Sequence, residues 1–583
     1  MRRIVWMVPL LLAGCASRKA ETLLPLVEEF VYSSLAFSPV GATGAGYHEH
    51  QGRRLDELLD DFSPAALEAQ RAFYRSFQQR LAAFRPEQLA PEELADYEIL
   101  RGQIALALLE LDQIQNFRHN PTVYVELLGN AFFYPHVLEY APLSERVRHI
   151  IARLEKVPGF LEQAKKNLAD APEIWTAVAV EENDGNLRLI DKLIRAALPA
   201  EQRAEYDRAA GVALPALREF NAWLKNDLAK RPGDWRLGKD KYALKFRHVL
   251  GTDQTPEQVL ARAEADLKSV RERMYELARP LHRKWFPRHE EHADVNTLVG
   301  ETLARIADRH STPETYMEDA KRDLAEAREF VRAKALLPLP PRDNLGVIPT
   351  PEFMRGIYAV GGFQPAPPLE PQLGAFYWIT PIPKDWPKAR IESKLREYNF
   401  YKLKLLTIHE AMPGHYVQFE YANDVQPQPR RLLRALYGSG TYVEGWAEYA
   451  AEMVLEAGFL DQAPELWLTF LKQELRVISN AILDIRLHTL GMTDQQALDL
   501  MIKETFQERE EATAKLRRAK LSSCQLPTYY VGWRDLVRVR DHYRRHRGAE
   551  FRVAEFNERV LKAGAVPLPV LARLLTGSGL SAR

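Results

Sequence analysis

Cysteine is almost missing: a chain of 583 residues carries two, Cys15 and Cys524. If Cys15 is used elsewhere, no intramolecular disulfide is available, and stability has to come from the size of the core. Net charge is missing as well, since 79 Lys and Arg balance 79 Asp and Glu. That balance gives no electrostatic reason to expect nucleic acid as a partner. Beyond the N-terminus no apolar run reaches the roughly 20 residues that a membrane-spanning helix needs. The stretch Gly41-Ala-Thr-Gly44-Ala-Gly46 lacks the Lys-Ser/Thr of a phosphate loop and reads as a flexible entry. Strand signals are sparse, and neither a paired-cysteine metal site nor a nucleophile elbow occurs.

What is present begins with an export signal. Met1-Arg2-Arg3 is a basic start, Ile4 to Leu12 is apolar, and Ala13-Gly14 are small. The run Leu12-Ala13-Gly14-Cys15 reads as a bacterial lipoprotein signal over residues 1–14, with Cys15 the lipidation site. Several acyl chains, at about 0.8 kcal/mol per buried CH₂, would anchor the protein stably to a membrane. Ala16 is not the aspartate associated with inner-membrane retention, so the expected location is the outer membrane, facing the periplasm. The full chain is 46% hydrophobic and 27% charged, the balance of a globular protein rather than a disordered one.

Helical periodicity dominates residues 15–336. Leu55, Leu58, Leu59 and Phe62 repeat at helical intervals, and Tyr97 to Leu111 reads as a buried helix. Thr255-Pro256-Glu257-Gln258 opens an amphipathic helix through Val259, Ala263, Leu267 and Val270. Residues 337–387 are proline-rich and cannot stay helical. Within them Gly374 to Thr380, aromatic and β-branched, predicts a short strand whose Phe376-Tyr377-Trp378 could hold an extended peptide. Helical patterning resumes over 388–583. The expected fold is mainly α, a large multi-helix protein with a small β element near the site.

The run His409-Glu-Ala-Met-Pro-Gly-His415 carries candidate chemistry. A zinc hydrolase needs two neutral imidazoles, a third ligand and a carboxylate beside the attacking water. The usual arrangement places the histidines four apart on one helix face. Here they are six apart, which is about 240° around a regular helix and points them away from each other. Pro413 clashes with the carbonyl of His409, and Gly414 tolerates unusual dihedrals, so a break there could return His415 to His409. Leu403, Leu405, Leu406 and Ile408 make the approach apolar. A metal would offset the cost of burying Glu410 and two imidazoles there.

Downstream, Glu444, Glu448, Glu452 and Glu456 are each four apart after the Gly438-Ser439-Gly440 break. Each step advances about 40°, so the stripe can begin inside and end on a solvated face. Glu444, between Val443 and Trp446, suits a buried metal ligand, and Glu448 suits the acceptor that orients a ligand histidine. The two roles can be exchanged.

At these residues the chain resembles bacterial proteins of the domain-of-unknown-function 885 family, relatives of the gluzincin metallopeptidases. Their HEAxPGHxxQ mark stands here in full from His409 to Gln418; their EGWAxYxE mark stands as EGWAEYAAE from Glu444, with Ala451 in place of the second acid. Trp235-Arg-Leu-Gly238, Tyr242 and the later TYYVG extend the likeness. The resemblance implies a mostly helical fold and one zinc ion held by His409, His415 and Glu444. It also implies Glu410 as general base and hydrolysis of a peptide substrate. By family position, His488 and Tyr530 are candidates to stabilise the oxyanion. Arg538 and Arg540 could meet a substrate carboxylate, although a solvated helix face is the simpler reading. His289-Glu-Glu-His292 reads as a solvated turn, and His48-Glu-His50 has no apolar support nearby. Two other readings stay open: a non-catalytic envelope lipoprotein that binds a peptide or a partner, and a zinc hydrolase of a non-peptide amide.

Overall fold

The computed structural model describes residues 22–289, 294–355, 358 and 360–580. The protein is mainly α-helical with a small mixed sheet. Cys15 lies outside the described residues. No helix among the described residues is long and apolar enough to cross a membrane.

Two apolar clusters organise the helices. The smaller one is built from α1 (Thr122–Val137), α2 (Leu143–Asn167), α3 (Glu173–Arg188) and α4 (Arg203–Asn226), closed by Phe353 and Trp378 from the proline-rich segment. The larger runs from Leu23 through α5 (Pro256–Trp285) to the C-terminal helices. The larger cluster draws residues from all three ranges, 15–336, 337–387 and 388–583, because burial groups residues by contact and not by their place in the chain.

Local rules account for several elements. The α5 helix opens as its sequence predicts: Thr255 Oγ1 accepts from the Gln258 N–H, and Gln258 returns the bond to the Thr255 N–H. Val259, Ala263, Val270 and Met274 then form its buried stripe. Leu100 and Ile104 are buried in the helix Pro91–Leu109, as expected. Residues 55–62, in contrast, form a single 3₁₀ turn and then irregular chain up to Ser63, which caps Pro64–Leu81. Leu55 and Leu58 pack in the larger cluster, and Leu59 and Phe62 pack against the smaller one. Their spacing thus reflects a chain bridging two cores, not one helix face. The glycine-rich stretch is likewise ordered: Pro39–Ala45 is a short helix ended by Gly46 at φ 78°.

The sheet contains β1 (Leu345–Pro349), β2 (Gly361–Gln364) and β3 (Ala375–Ile379) in the order β1-β3-β2. The strand expected around Phe376-Tyr377-Trp378 is therefore the middle one, parallel to β1 and antiparallel to β2. Both its edges are already hydrogen-bonded, so it cannot add a peptide strand. The edge facing the candidate site is β2, whose Phe363 ring stacks 6.3 Å from that of His415. Tyr377 Oη lies 3.2 Å from Thr407 Oγ1 and ties the sheet to α6 (Phe400–Glu410).

Candidate metal centre

The α6 helix starts at Asn399, whose side chain accepts from the Tyr401 and Lys402 N–H groups, and it ends at Glu410. The chain then turns through Ala411 to Gly414, and α7 (His415–Ala422) begins on the second histidine. The helix is broken where Pro413 cannot continue it. Gly414 N–H donates to Ile408 O at 2.9 Å, so the loop folds tightly back on the last turn of α6. A Cβ on Gly414 would stand 1.8 Å from His409 O, which leaves room for glycine alone. The two imidazoles consequently meet, with ring centroids 4.8 Å apart at 85°.

Glu444 comes from α8 (Gly440–Glu456), capped by Ser439. Its Oε2 lies 3.6 Å from His409 Nε2 and 3.4 Å from His415 Nε2. Glu448, one turn on, faces the other side of His409: its Oε1 is 3.5 Å from Nδ1 and accepts from Gln473 Nε2 at 3.0 Å. Of the two exchangeable roles, the geometry places Glu444 with both Nε2 atoms and Glu448 behind one ring. Glu452 and Glu456 point elsewhere, to Trp533 Nε1 and Arg540.

The donor set fits a zinc-like cation. Bonds of about 2.0–2.1 Å in tetrahedral geometry put ligand atoms about 3.3 Å apart, whereas strong N–H···O bonds sit near 2.9 Å. The observed 3.4 and 3.6 Å are close to the former. Glu444 Oε2 and His415 Nδ1 are buried without a hydrogen-bond partner among the described residues. Burial disfavours charge on His409, but Glu444, Glu448 and Glu410 outweigh it and lift the imidazole to about 9. Burial likewise pushes Glu444 up, yet the two imidazoles hold its carboxyl well below the usual range. A dication bound there would compensate the buried Glu444 charge in place of a protonated imidazole.

His409 and Glu410 line a cavity of about 120 Å³ together with Glu448, Ala451, Arg518 and Tyr529. The Glu410 carboxylate makes no hydrogen bond or ion pair with any described residue, so its oxygens are free to act in that space. Val360 and Gly361, at the start of β2, line the same cavity.

The structure does not bring His488 and Tyr530 to this centre. His488 sits on α9 (Pro464–Thr489), where Nδ1 accepts from Leu237 N–H and Nε2 donates to Ser522 O. Trp235 and Tyr242 pack around it, and Tyr242 Oη donates to Asp484. The Trp235-to-Gly238 motif and Tyr242 thus serve a buried structural node. Tyr530, on α11 (Pro527–Arg547), donates to Asp266 and accepts from Arg262. Its neighbour Tyr529, about 100° around the helix, is the tyrosine at the centre: its ring lies 6.3 Å from His409, and Arg518 Nη2 donates to its Oη at 3.2 Å. The adjacent tyrosines were visible in the sequence, but only helix phase decides between them. Arg518 lies on α10 (Arg509–Leu521) and had no sequence signal. Arg538 and Arg540 pair with Asp535 and Glu456 and do not reach the cavity.

The weaker histidine signals resolve differently. His48 Nδ1 lies 2.8 Å from Asp56 and Nε2 3.3 Å from Glu370, with the Tyr140 ring stacked at 4.4 Å, so it has firm support. His50 Nδ1 bonds the Tyr47 hydroxyl. His289 joins His282 and Glu301 in a second His/Glu group whose ligand atoms lie within 4.8 Å. There His282 Nε2 is 2.6 Å from Glu301, a direct hydrogen bond rather than ligand spacing, and the His289 side chain is 47% exposed. His292 lies outside the described residues.

Comparison with solved structures finds the same fold in two other proteins. One is described as "a putative lipoprotein of unknown function" from Shewanella oneidensis: TM-score 0.78, 28% identity, covering 95% of this chain and 100% of the other. The second, a "putative lipoprotein" from Colwellia psychrerythraea, gives TM-score 0.77 at 18% identity, covering 95% and 98%. No curated protein matches. Residues 39–575 match the family described as "Bacterial protein of unknown function (DUF885)", and the chain belongs to that family.

Proposed function

We propose that this protein is a zinc-dependent peptidase, anchored in the bacterial cell envelope through lipid on Cys15. The carrying observation is the convergence of His409 Nε2, His415 Nε2 and Glu444 Oε2 beside the uncommitted Glu410 carboxylate. Zinc held there would polarise a substrate carbonyl and acidify water at an open coordination position.

The remaining work falls to the chain. Glu410 accepts the water proton and returns it to the leaving amine. Glu448, held by Gln473, keeps His409 turned with Nε2 toward the centre. Tyr529 is the donor placed to stabilise a developing oxyanion, in the role first given to His488 and Tyr530. β2 is an edge strand of the sheet, the position at which an extended substrate can add, and this favours a peptide over another amide. A pure binding protein has no use for a free carboxylate beside the ligands. The lipoprotein descriptions of the two similar structures support the anchoring.

Metal analysis and peptide digestion test the reading with the Glu410→Gln and His415→Ala variants. Glu410→Gln should keep one zinc and lose about 10²–10⁴ in rate, while His415→Ala should lose the metal. Full zinc occupancy in His415→Ala would falsify the ligand set.

A further inference from the structure

We infer that the face of α10 carrying Lys515 and Arg518 is a carboxylate-binding subsite, which recognises a terminal or side-chain carboxylate of a short peptide lying beside Glu410. It rests on the peptidase reading and gives that reading a substrate class.

Residues three apart on a helix share a face, and Lys515 and Arg518 line the cavity that His409 and Glu410 line. Neither basic group forms an ion pair with a described residue. Arg518 donates through Nη2 to two neutral partners, Gln525 Oε1 at 3.1 Å and Tyr529 Oη at 3.2 Å, and forms no ion pair with a described residue. Lys515 is 5% exposed and makes no hydrogen bond or ion pair with a described residue. Of the other two basic residues that line the cavity, Arg476 pairs with Glu511 and Lys402 donates to the neutral Gln473.

The acids that face the cavity are committed. Glu511 is held by Arg476 and Tyr398, and Glu448 by Gln473. Glu410 is the proposed base. Ala451 lines the same space and brings no charge. Burying an unpaired guanidinium is costly, and the planar fork is matched by a carboxylate with two parallel bonds. Burial and the nearby charges of Arg476 and Arg518 push the Lys515 ammonium well below its ordinary range, a pressure that an arriving carboxylate relieves. Arg538 and Arg540, the arginines suggested by sequence, are replaced in this role by a pair on another helix.

Binding to the full-length, zinc-loaded Glu410→Gln protein provides the test. The probes are an N-acetylated pentapeptide mixture ending in a free carboxylate, the same mixture ending in a carboxamide, and both made with Gln and Asn in place of Glu and Asp. A terminal-carboxylate site predicts at least tenfold tighter binding of acid than of amide. A side-chain site predicts the same ratio between acidic and neutral mixtures. In either case Arg518→Gln and Ala451→Glu should erase the preference, and Arg518→Lys should keep part of it. Zinc content and circular dichroism check each variant, and Lys515→Met substitutes for any that misfolds. Binding of all four mixtures within twofold, a preference that survives Arg518→Gln, or no binding at all would overturn the subsite. A preference in binding with no hydrolysis by the parent protein would sink the peptidase reading and leave the subsite standing. Hydrolysis without preference would do the reverse.

Discussion

His409 faces a carboxylate on each side of its ring, and the two make different demands on it. Glu448 at Nδ1 sets the ring orientation and leaves Nε2 toward Glu444 and His415. Glu448→Ala should therefore weaken zinc binding about 10–100-fold without removing a ligand, as read by competition with a chelator. His48 gives a second residue-scale expectation, independent of metal. Burial opposes its charge, but Asp56 and Glu370 lift it to about 9, above the ordinary value of 6.5. A raised pKa in the folded state stabilises fully below about pH 6.5, and the benefit is lost as pH climbs through 9. The ring keeps some solvent contact, so the contribution is discounted to about 1–2 kcal/mol. Urea unfolding of the parent and His48→Gln should differ by that amount near pH 6 and converge near pH 10. A gap that is unchanged at high pH would refute this account. At this scale the convergence of His409, His415 and Glu444 beside Glu410 was legible because their residue types and order are those a candidate metal centre needs. Tyr529, Lys515 and Arg518 were not, because nothing in TYYVG or in a charged helix says which side faces a cavity.

Between elements, three glycines set distances that the centre depends on. Gly414 lets the loop close on α6. Gly445 and Gly532 let α8 and α11 cross almost backbone to backbone: a Cβ on Gly445 would lie 2.4 Å from Gly532 C, and one on Gly532 would lie 2.0 Å from Thr441 O. That crossing brings Glu444 and Tyr529 to the same centre. Trp446 joins the two motifs directly, since its Nε1 donates to Pro413 O at 2.9 Å. Gly445→Ala and Gly532→Ala should each cost on the order of 3 kcal/mol, with a double variant less than additive because the first substitution already forces the same two helices apart. Denaturation midpoints with zinc titration check this, and full stability in either single variant would contradict the crossing. The break at Pro413-Gly414 could be read from side-chain and backbone sterics alone. The helix crossing could not, because Gly445 and Gly532 are separated by a long stretch of chain and either alone reads as a weak helix position.

For the molecule as a whole, binding of a metal to the folded state alone adds RT ln(1 + [L]/Kd) to stability. Zinc at a hundredfold excess over its Kd should thus stabilise the metal-free protein by about 2.7 kcal/mol. The same addition to His415→Ala should leave the unfolding curve in place, and an equal gain there would place the zinc elsewhere. Anchoring belongs to this scale too: Cys15→Ser should move the protein from the membrane fraction to the soluble one with its zinc retained. The fold class was legible from periodicity and from the few strand signals. The two cores were not. Leu55 to Phe62 repeat as a helix does, yet they serve two clusters through an irregular chain.

Residue chemistry, the helix break at Pro413 and the cap at Thr255 were determined by the sequence itself, because each depends on atoms within a few positions along the chain. That Glu444 rather than Glu448 meets both Nε2 atoms, that Tyr529 rather than Tyr530 lies beside His409, that β2 rather than β3 is an edge strand, and that α10 rather than the arginines of α11 lines the cavity was decided by tertiary structure. Each depends on which face of an element meets a segment far away in sequence, and that is settled only when the helices pack.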